Sequence, residues 1–152
     1  MGKKLVVGVG NAYRGDDAAG LLVVQGLRPF LPPDVRALAL SGEGTSLMDA
    51  WEGADWVVLA DAVQSGAAPG TIHQFTVGEE PLPTAVSHTF SSHAFGVAEA
   101  VEMGRLLGRL PRHLTIWGIE GVDFRMGADV SPVVRKAITA VIAHIRQMME
   151  QA

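Results

Sequence analysis

The sequence contains no cysteine, so disulfides and a thiolate nucleophile are excluded, and the composition suits a reducing compartment. It also lacks any cluster of lysine and arginine, and its formal net charge is −4. Broad electrostatic attraction to nucleic acid or anionic lipid therefore has no basis. No apolar run approaches a membrane span: Leu5-Val6-Val7 is too short even for a signal-peptide core and runs directly into glycines. Internal repeats, linkers and low-complexity segments are missing, and no Gly-x-Ser-x-Gly elbow supports a serine hydrolase. These absences describe a cytoplasmic protein without nucleic-acid or membrane partners. What is present is a chain of 152 residues, 48% hydrophobic, long enough to bury one core and too short for two ordinary domains. A single domain over residues 1–152, working as a monomer, is expected.

The chain alternates strand-like and helix-like segments. Leu5 to Val9 is a β-branched run leading into Gly10-Asn11, and Ala18 to Leu27 reads as a helix with Asp16 and Asp17 at its start and Asp16 as its cap. Pro29, Pro32 and Pro33 stop that helix; Val35 to Leu40 reads as a second strand and Ser46 to Trp51 as a short helix. Trp56 to Ala60 is a nearly all-apolar third strand, suited to a parallel sheet covered on both faces, and it ends at Asp61. Thr71 to Val77 alternates polar and apolar residues, the pattern of an edge or antiparallel strand. Glu79 to Ser92 is the longest irregular stretch. Ala94, Val97, Ala98 and Val101 then share one face of a helix beginning near His93, and Leu114 to Ile119 is a fifth strand. In the final helix Ser131 is the cap, Pro132 takes the first helical position, and Val134, Ala137, Ile138, Val141, Ile142 and Ile145 form one apolar stripe. This order predicts a three-layer α/β/α domain with a mostly parallel five-stranded sheet.

Ligands of open α/β sheets sit beyond the carboxyl ends of the strands, where Asp17, Asp61 and His93 fall. Each has a plainer explanation alone: acids favour helix N-termini, a carboxylate ending a strand can accept backbone hydrogen bonds, and a lone histidine is often structural. Together, two carboxylates and an imidazole form a borderline-to-hard donor set, too few for a closed cage and suited to a divalent transition metal with open positions. The other candidates take bland readings. His73 falls on a strand face near solvent, His113 and His144 at the surface, and His88 is a nearby rival of His93. Trp51, Trp56 and Trp117 read as packing residues, and Ser91 and Ser92 as caps of the following helix.

Gly8-Val9-Gly10, after a strand and before a helix, has part of a dinucleotide-binding turn, but the third glycine of that fingerprint would fall at Tyr13. Asp16 and Asp17 also put negative charge where a pyrophosphate needs a positive helix end. The glycines fit better as a tight turn that lets a partner's backbone approach. A nucleotide-binding protein is accordingly the third-ranked reading.

Gly8-Val9-Gly10-Asn11 followed by Gly15-Asp16-Asp17 and Gly20 resembles the opening signature of the nickel-iron hydrogenase maturation endopeptidases. The resemblance continues through Val58-Leu59-Ala60-Asp61-Ala62, Pro69-Gly70-Thr71, Ser92-His93 with Gly96, Gly118-Ile119-Glu120 and Ser131-Pro132. Any one segment is weak; the ordered set from Leu5 to Ile142 is specific. Departures occur at Asp17, where some relatives carry Glu, at Ala18 and Gly121, and in Ser41-Gly42-Glu43-Gly44-Thr45, and they bear on substrate choice.

The resemblance implies a five-stranded sheet between helices and a metal-dependent endopeptidase that removes the C-terminal extension of a nickel-iron hydrogenase large-subunit precursor after nickel insertion. It places Asp17, Asp61 and His93 at the metal-contacting and catalytic positions, with Gly10, Asn11, Gly44 and Thr45 as substrate-binding positions. Nickel is expected to arrive with the substrate. A non-catalytic nickel-binding maturation chaperone using the same three ligands is the alternative.

Overall fold

The computed structural model describes residues 3–41, 44–78, 81–83 and 96–151, with the side chains of residues 44 and 45 outside the description. Five strands are present, β1 (Lys3–Val9), β2 (Val35–Leu40), β3 (Ala54–Val63), β4 (Ile72–Val77) and β5 (His113–Glu120). Among the described residues the α-helices are α1 (Ala19–Leu27), α2 (Gly44–Trp51), α3 (Val97–Leu106) and α4 (Pro132–Gln151). The strands form one sheet in the order β2-β1-β3-β5-β4, parallel except for the edge strand β4, which runs antiparallel to β5. The alternating pattern of β4 and the all-apolar run of β3 thus led to the positions expected of them.

Alternation along each central strand sorts side chains to the two faces. Leu5, Val7, Leu59 and Ile116 pack against α2 and α3 on one face; Val6, Val58, Ala60 and Ile119 pack against α1 and α4 on the other. The stripe of α4 is buried at Val134, Ala137, Ile138, Val141 and Ile145, which makes the three-layer α/β/α architecture a direct product of the two hydrophobic periods.

Two local expectations change. The third strand does not end at Asp61: Ala62 and Val63 continue the apolar run and pair with Ile119 and Glu120 of β5, so Asp61 lies inside the sheet. The first helix opens with a 3-10 turn, Gly15–Ala18, and no side-chain hydrogen bond caps it. Asp16 is not its cap. Its carboxylate reaches the loop between β5 and α4, accepting the backbone N–H groups of Val122 (2.8 Å), Asp123 (2.9 Å) and Ser131 (2.7 Å) and the Ser131 hydroxyl (2.8 Å). Ser131 immediately precedes α4, so the charge also faces the positive end of that helix. Burial alone would raise the Asp16 pKa, but the donors from Ser131, Asp123 and Val122 outweigh it and hold the carboxyl below its ordinary value.

α1 rests on the sheet through Gly20. A Cβ there would collide with the carbonyl oxygens of Ala60 in β3 and Val9 in β1. Helix and strands approach to backbone contact, which holds the loop after β1 against β3.

Gly20→Ala should therefore lower stability by about 1–3 kcal/mol, whereas Gly78→Ala, with open space around its added methyl, should change it by less than about 0.5 kcal/mol; urea denaturation of both checks the contrast. Asp16→Ala leaves three backbone N–H donors and the Ser131 hydroxyl without their buried acceptor and should cost about 1–3 kcal/mol. The Asp16 pKa is depressed on folding, so its contribution is fully present above the ordinary value of 3.8 and is lost as pH falls through the folded-state value. The stability gap between wild type and Asp16→Asn, measured by urea denaturation from pH 7 down to pH 2, should narrow only at the acid end.

Candidate functional site

In the strand order, β2 lies on one side of β1 and β3 on the other, so the connections leaving the first half of the sheet diverge between β1 and β3. Crevices at such reversals, beyond the carboxyl ends of the strands, are where α/β proteins bind ligands. The turn after β1 carries Asp17, and β3 carries Asp61.

Asp17 sits in the 3-10 turn, 3% exposed, and its Oδ2 accepts the Asn11 backbone N–H at 3.0 Å. The turn can fold back because Gly10 has φ +151° and because a Cβ at that position would strike the Asp17 carbonyl oxygen. Asn11 then closes the turn, its Oδ1 accepting the Tyr13 N–H at 2.9 Å. Gly10 and Asn11, expected to meet substrate, thus frame the Asp17 carboxylate. Gly44 begins α2, one residue before Thr45.

Asp61 is fully buried. It lies opposite Gly118 of β5 and, by alternation, on the face of Leu59 and Val63, which pack toward α2 and α3. The 3-10 turn packs directly on β3, and Gly20, one turn beyond Asp17, lies against the Ala60 carbonyl beside Asp61. The fold therefore brings the two acids, 44 positions apart in sequence, to the same end of the sheet. His93 lies outside the described residues, as do His88, Ser91 and Ser92. What is described is α3, whose C-terminal part packs Gly104 against Trp51 and Leu110 at the amino end of the sheet. α3 accordingly begins at the end that holds Asp61. Among the described residues no group of three or more His, Asp or Glu is placed to hold a metal ion.

A fourth buried acid at this end, Glu120, was not singled out from sequence. Glu120, the last residue of β5, accepts the Ser65 N–H (2.8 Å) and hydroxyl (2.6 Å), the Gly66 N–H (3.3 Å) and His73 Nε2–H (3.1 Å). Burial raises its pKa, and the Ser65, His73 and Gly66 donors overcome that and leave it lowered. His73 is thus a partner of Glu120 rather than a bystander near solvent, with its side chain 23% exposed. The signal that singled out Asp61, an acid at the end of an apolar strand, was equally present at Glu120. The remaining aromatic and histidine residues behave as packing and surface groups: Trp51 is buried with Nε1 donating to the Arg109 carbonyl (3.0 Å), and His144 stacks on Trp117.

Comparison with known proteins agrees with this architecture. The family model described as HycI: Hydrogenase maturation protease matches residues 29–148. The chain is 31% identical over 150 residues to the hydrogenase 2 maturation protease of Escherichia coli (strain K12), covering 94% of this chain and 90% of that protein. Among solved structures, the hydrogenase maturating endopeptidase HybD from E. coli superposes with a TM-score of 0.82 at 26% identity, covering 98% of this chain and 93% of the other. The maturation protease HycI from Thermococcus kodakarensis shares the fold with a TM-score of 0.72 at 22% identity, over 98% and 94% of the two chains. With a family model matching most of its length and a relative aligned over 94% of it, the chain belongs to the hydrogenase maturation protease family.

Proposed function

We propose that this protein is the endopeptidase that removes the C-terminal extension of a nickel-iron hydrogenase large-subunit precursor once nickel has been inserted. In this reading Asp17, Asp61 and His93 meet the nickel that the precursor carries. The observation that supports it most is the placement of two buried acids, Asp17 and Asp61, at the carboxyl end of the sheet beside the β1–β3 reversal. Carboxylates with an imidazole suit a divalent transition metal and leave positions open for the ligands it already has. The reaction takes place in the cytoplasm, with the enzyme acting as a monomer. Among the described residues no helix is long and apolar enough to cross a membrane.

The division of labour follows from the surroundings of each residue. Asp17 is held by the Asn11 N–H on a turn that Gly10 allows to bend, so it presents its carboxylate from a fixed frame. Asp61 is carried by a strand whose register with β5 is continuous from Trp56 to Val63, which fixes its height relative to the turn. Gly10 and Asn11 lie on the connection after β1 and Gly44 and Thr45 open α2; these four are the positions we assign to the approaching polypeptide. Nickel bound in the precursor supplies a positive centre that orients the segment to be cut; a water near either carboxylate can then be deprotonated for attack on the scissile carbonyl.

The test pairs nickel-loaded and nickel-free precursor with chelator-treated enzyme in metal-free buffer and reads C-termini by mass. Cleavage of the nickel-loaded form alone is expected. Equal cleavage of both removes nickel from recognition, and binding without any cleavage favours a chaperone. Asp17→Asn, Asp61→Asn and His93→Ala should remain folded and lose cleavage, while Ser92→Ala should keep it.

A further inference from the structure

Among the described residues eight large apolar side chains are exposed, and four of them, Tyr13, Val122, Met126 and Val133, lie on the turn after β1, the loop after β5 and the first turn of α4. Tyr13 is 75% exposed, Met126 68% and Val122 59%. Their grouping is enforced by the backbone. Gly127 N–H donates to the Tyr13 carbonyl (2.7 Å), Asp16 N–H to the Asp123 carbonyl (2.8 Å) and Arg14 Nε to the Phe124 carbonyl (3.3 Å). Met126 is therefore held beside Tyr13, and Val122 beside the Asp16 carboxylate that fastens both loops.

A frame tied this way does not let the apolar groups fold inward, so their exposure is part of the native surface, and apolar groups gathered on one surface mark contact sites. Of the nearby charges, Asp129 is exposed, while the others named here are engaged within the loop. Asp123 and Arg125 bond each other through two contacts of 2.9 and 2.8 Å, and the Asp16 carboxylate is consumed by Val122, Asp123 and Ser131. The partner that fits is apolar, and it arrives at the end of the sheet where Asp17 shares a 3-10 turn with Asp16.

We propose that Tyr13, Val122 and Met126 form a docking rim for an apolar stretch of the polypeptide substrate next to its cut site, contributing affinity that does not depend on the metal. This rests on the proteolytic reading above for the identity of the polypeptide. Val133, 43% exposed at the start of α4, extends the rim toward Gly70, whose added Cβ would touch it.

The rim is tested with the combined variant Tyr13→Ser, Val122→Ser, Met126→Ser, with Leu106→Ser, Leu107→Ser at the far end of α3 as the control. Steady-state cleavage of nickel-loaded precursor gives KM and kcat, and calorimetry with nickel-free precursor gives a metal-independent Kd. The rim variant should raise KM and Kd by roughly tenfold or more with kcat held within about twofold, and the control should match wild type. Unchanged KM and Kd in the rim variant overturn the rim and leave the proteolytic reading intact. Wild-type enzyme that binds precursor without cutting it counts against proteolysis, while the rim is still judged on Kd. Enzyme that neither binds nor cuts overturns both. Should the triple variant unfold, Met126→Glu alone carries the same readouts at an outward-facing position.

Discussion

The buried carboxylate of Asp16 accepts three backbone N–H groups and a hydroxyl from the loop between β5 and α4, and through them the turn after β1 and the start of α4 become one body. Nearly everything at the carboxyl end of the sheet depends on that join. It holds the 3-10 turn on which Asp17 sits, it orders the loop bearing Val122 and Met126, and it supplies negative charge to the N-terminal end of the longest helix. A neutral side chain of the same size has too few acceptors for these donors, so the charge itself is structurally required.

The same end of the sheet gathers four acids that are buried to 3% exposure or less, an arrangement that costs free energy unless each charge is answered by donors. Asp16 and Glu120 are answered by loops: one fastens the β5–α4 connection, the other the Ser65–Gly66 turn and His73. Both stay ionised because bonds to the anionic form outweigh desolvation. Asp17 and Asp61 are positioned differently, the first in a glycine-dependent turn where its carboxylate accepts the Asn11 backbone N–H, the second on a strand paired on both sides. Asp16 and Glu120 thus keep the loops in place, and Asp17 and Asp61 are the pair to which we assign the proposed chemistry.

Much of this arrangement was legible beforehand, because hydrophobic period is a local property. The run in β3 and the α4 stripe specified layers and a parallel sheet, the alternation in Ile72–Val77 specified an edge strand, and the ordered glycines and acids specified the family. Less legible were features built from partners far apart in the chain. Asp16 looked like a helix cap, since an acid before a helix usually is one, yet its donors lie more than a hundred residues away. His73 carried no local sign of Glu120, 47 residues on. Asp61 seemed to end a strand because charge usually does, but pairing with β5 carried the strand two residues further.

Local residue patterns were enough to establish the fold class, the order of strands and helices along the chain, and the two acids, Asp17 and Asp61, as candidates for chemistry, because period, turn residues and charge placement are encoded within a few residues of each position. The strand order, the location of those two acids at one end of the sheet and the assignment of Asp16 and Glu120 to loop anchoring emerged from the folded chain alone. The reason is physical: a buried carboxylate takes whichever backbone donors the completed fold leaves without partners, and those donors are selected by how the strands cross over, not by the residues beside it in the chain.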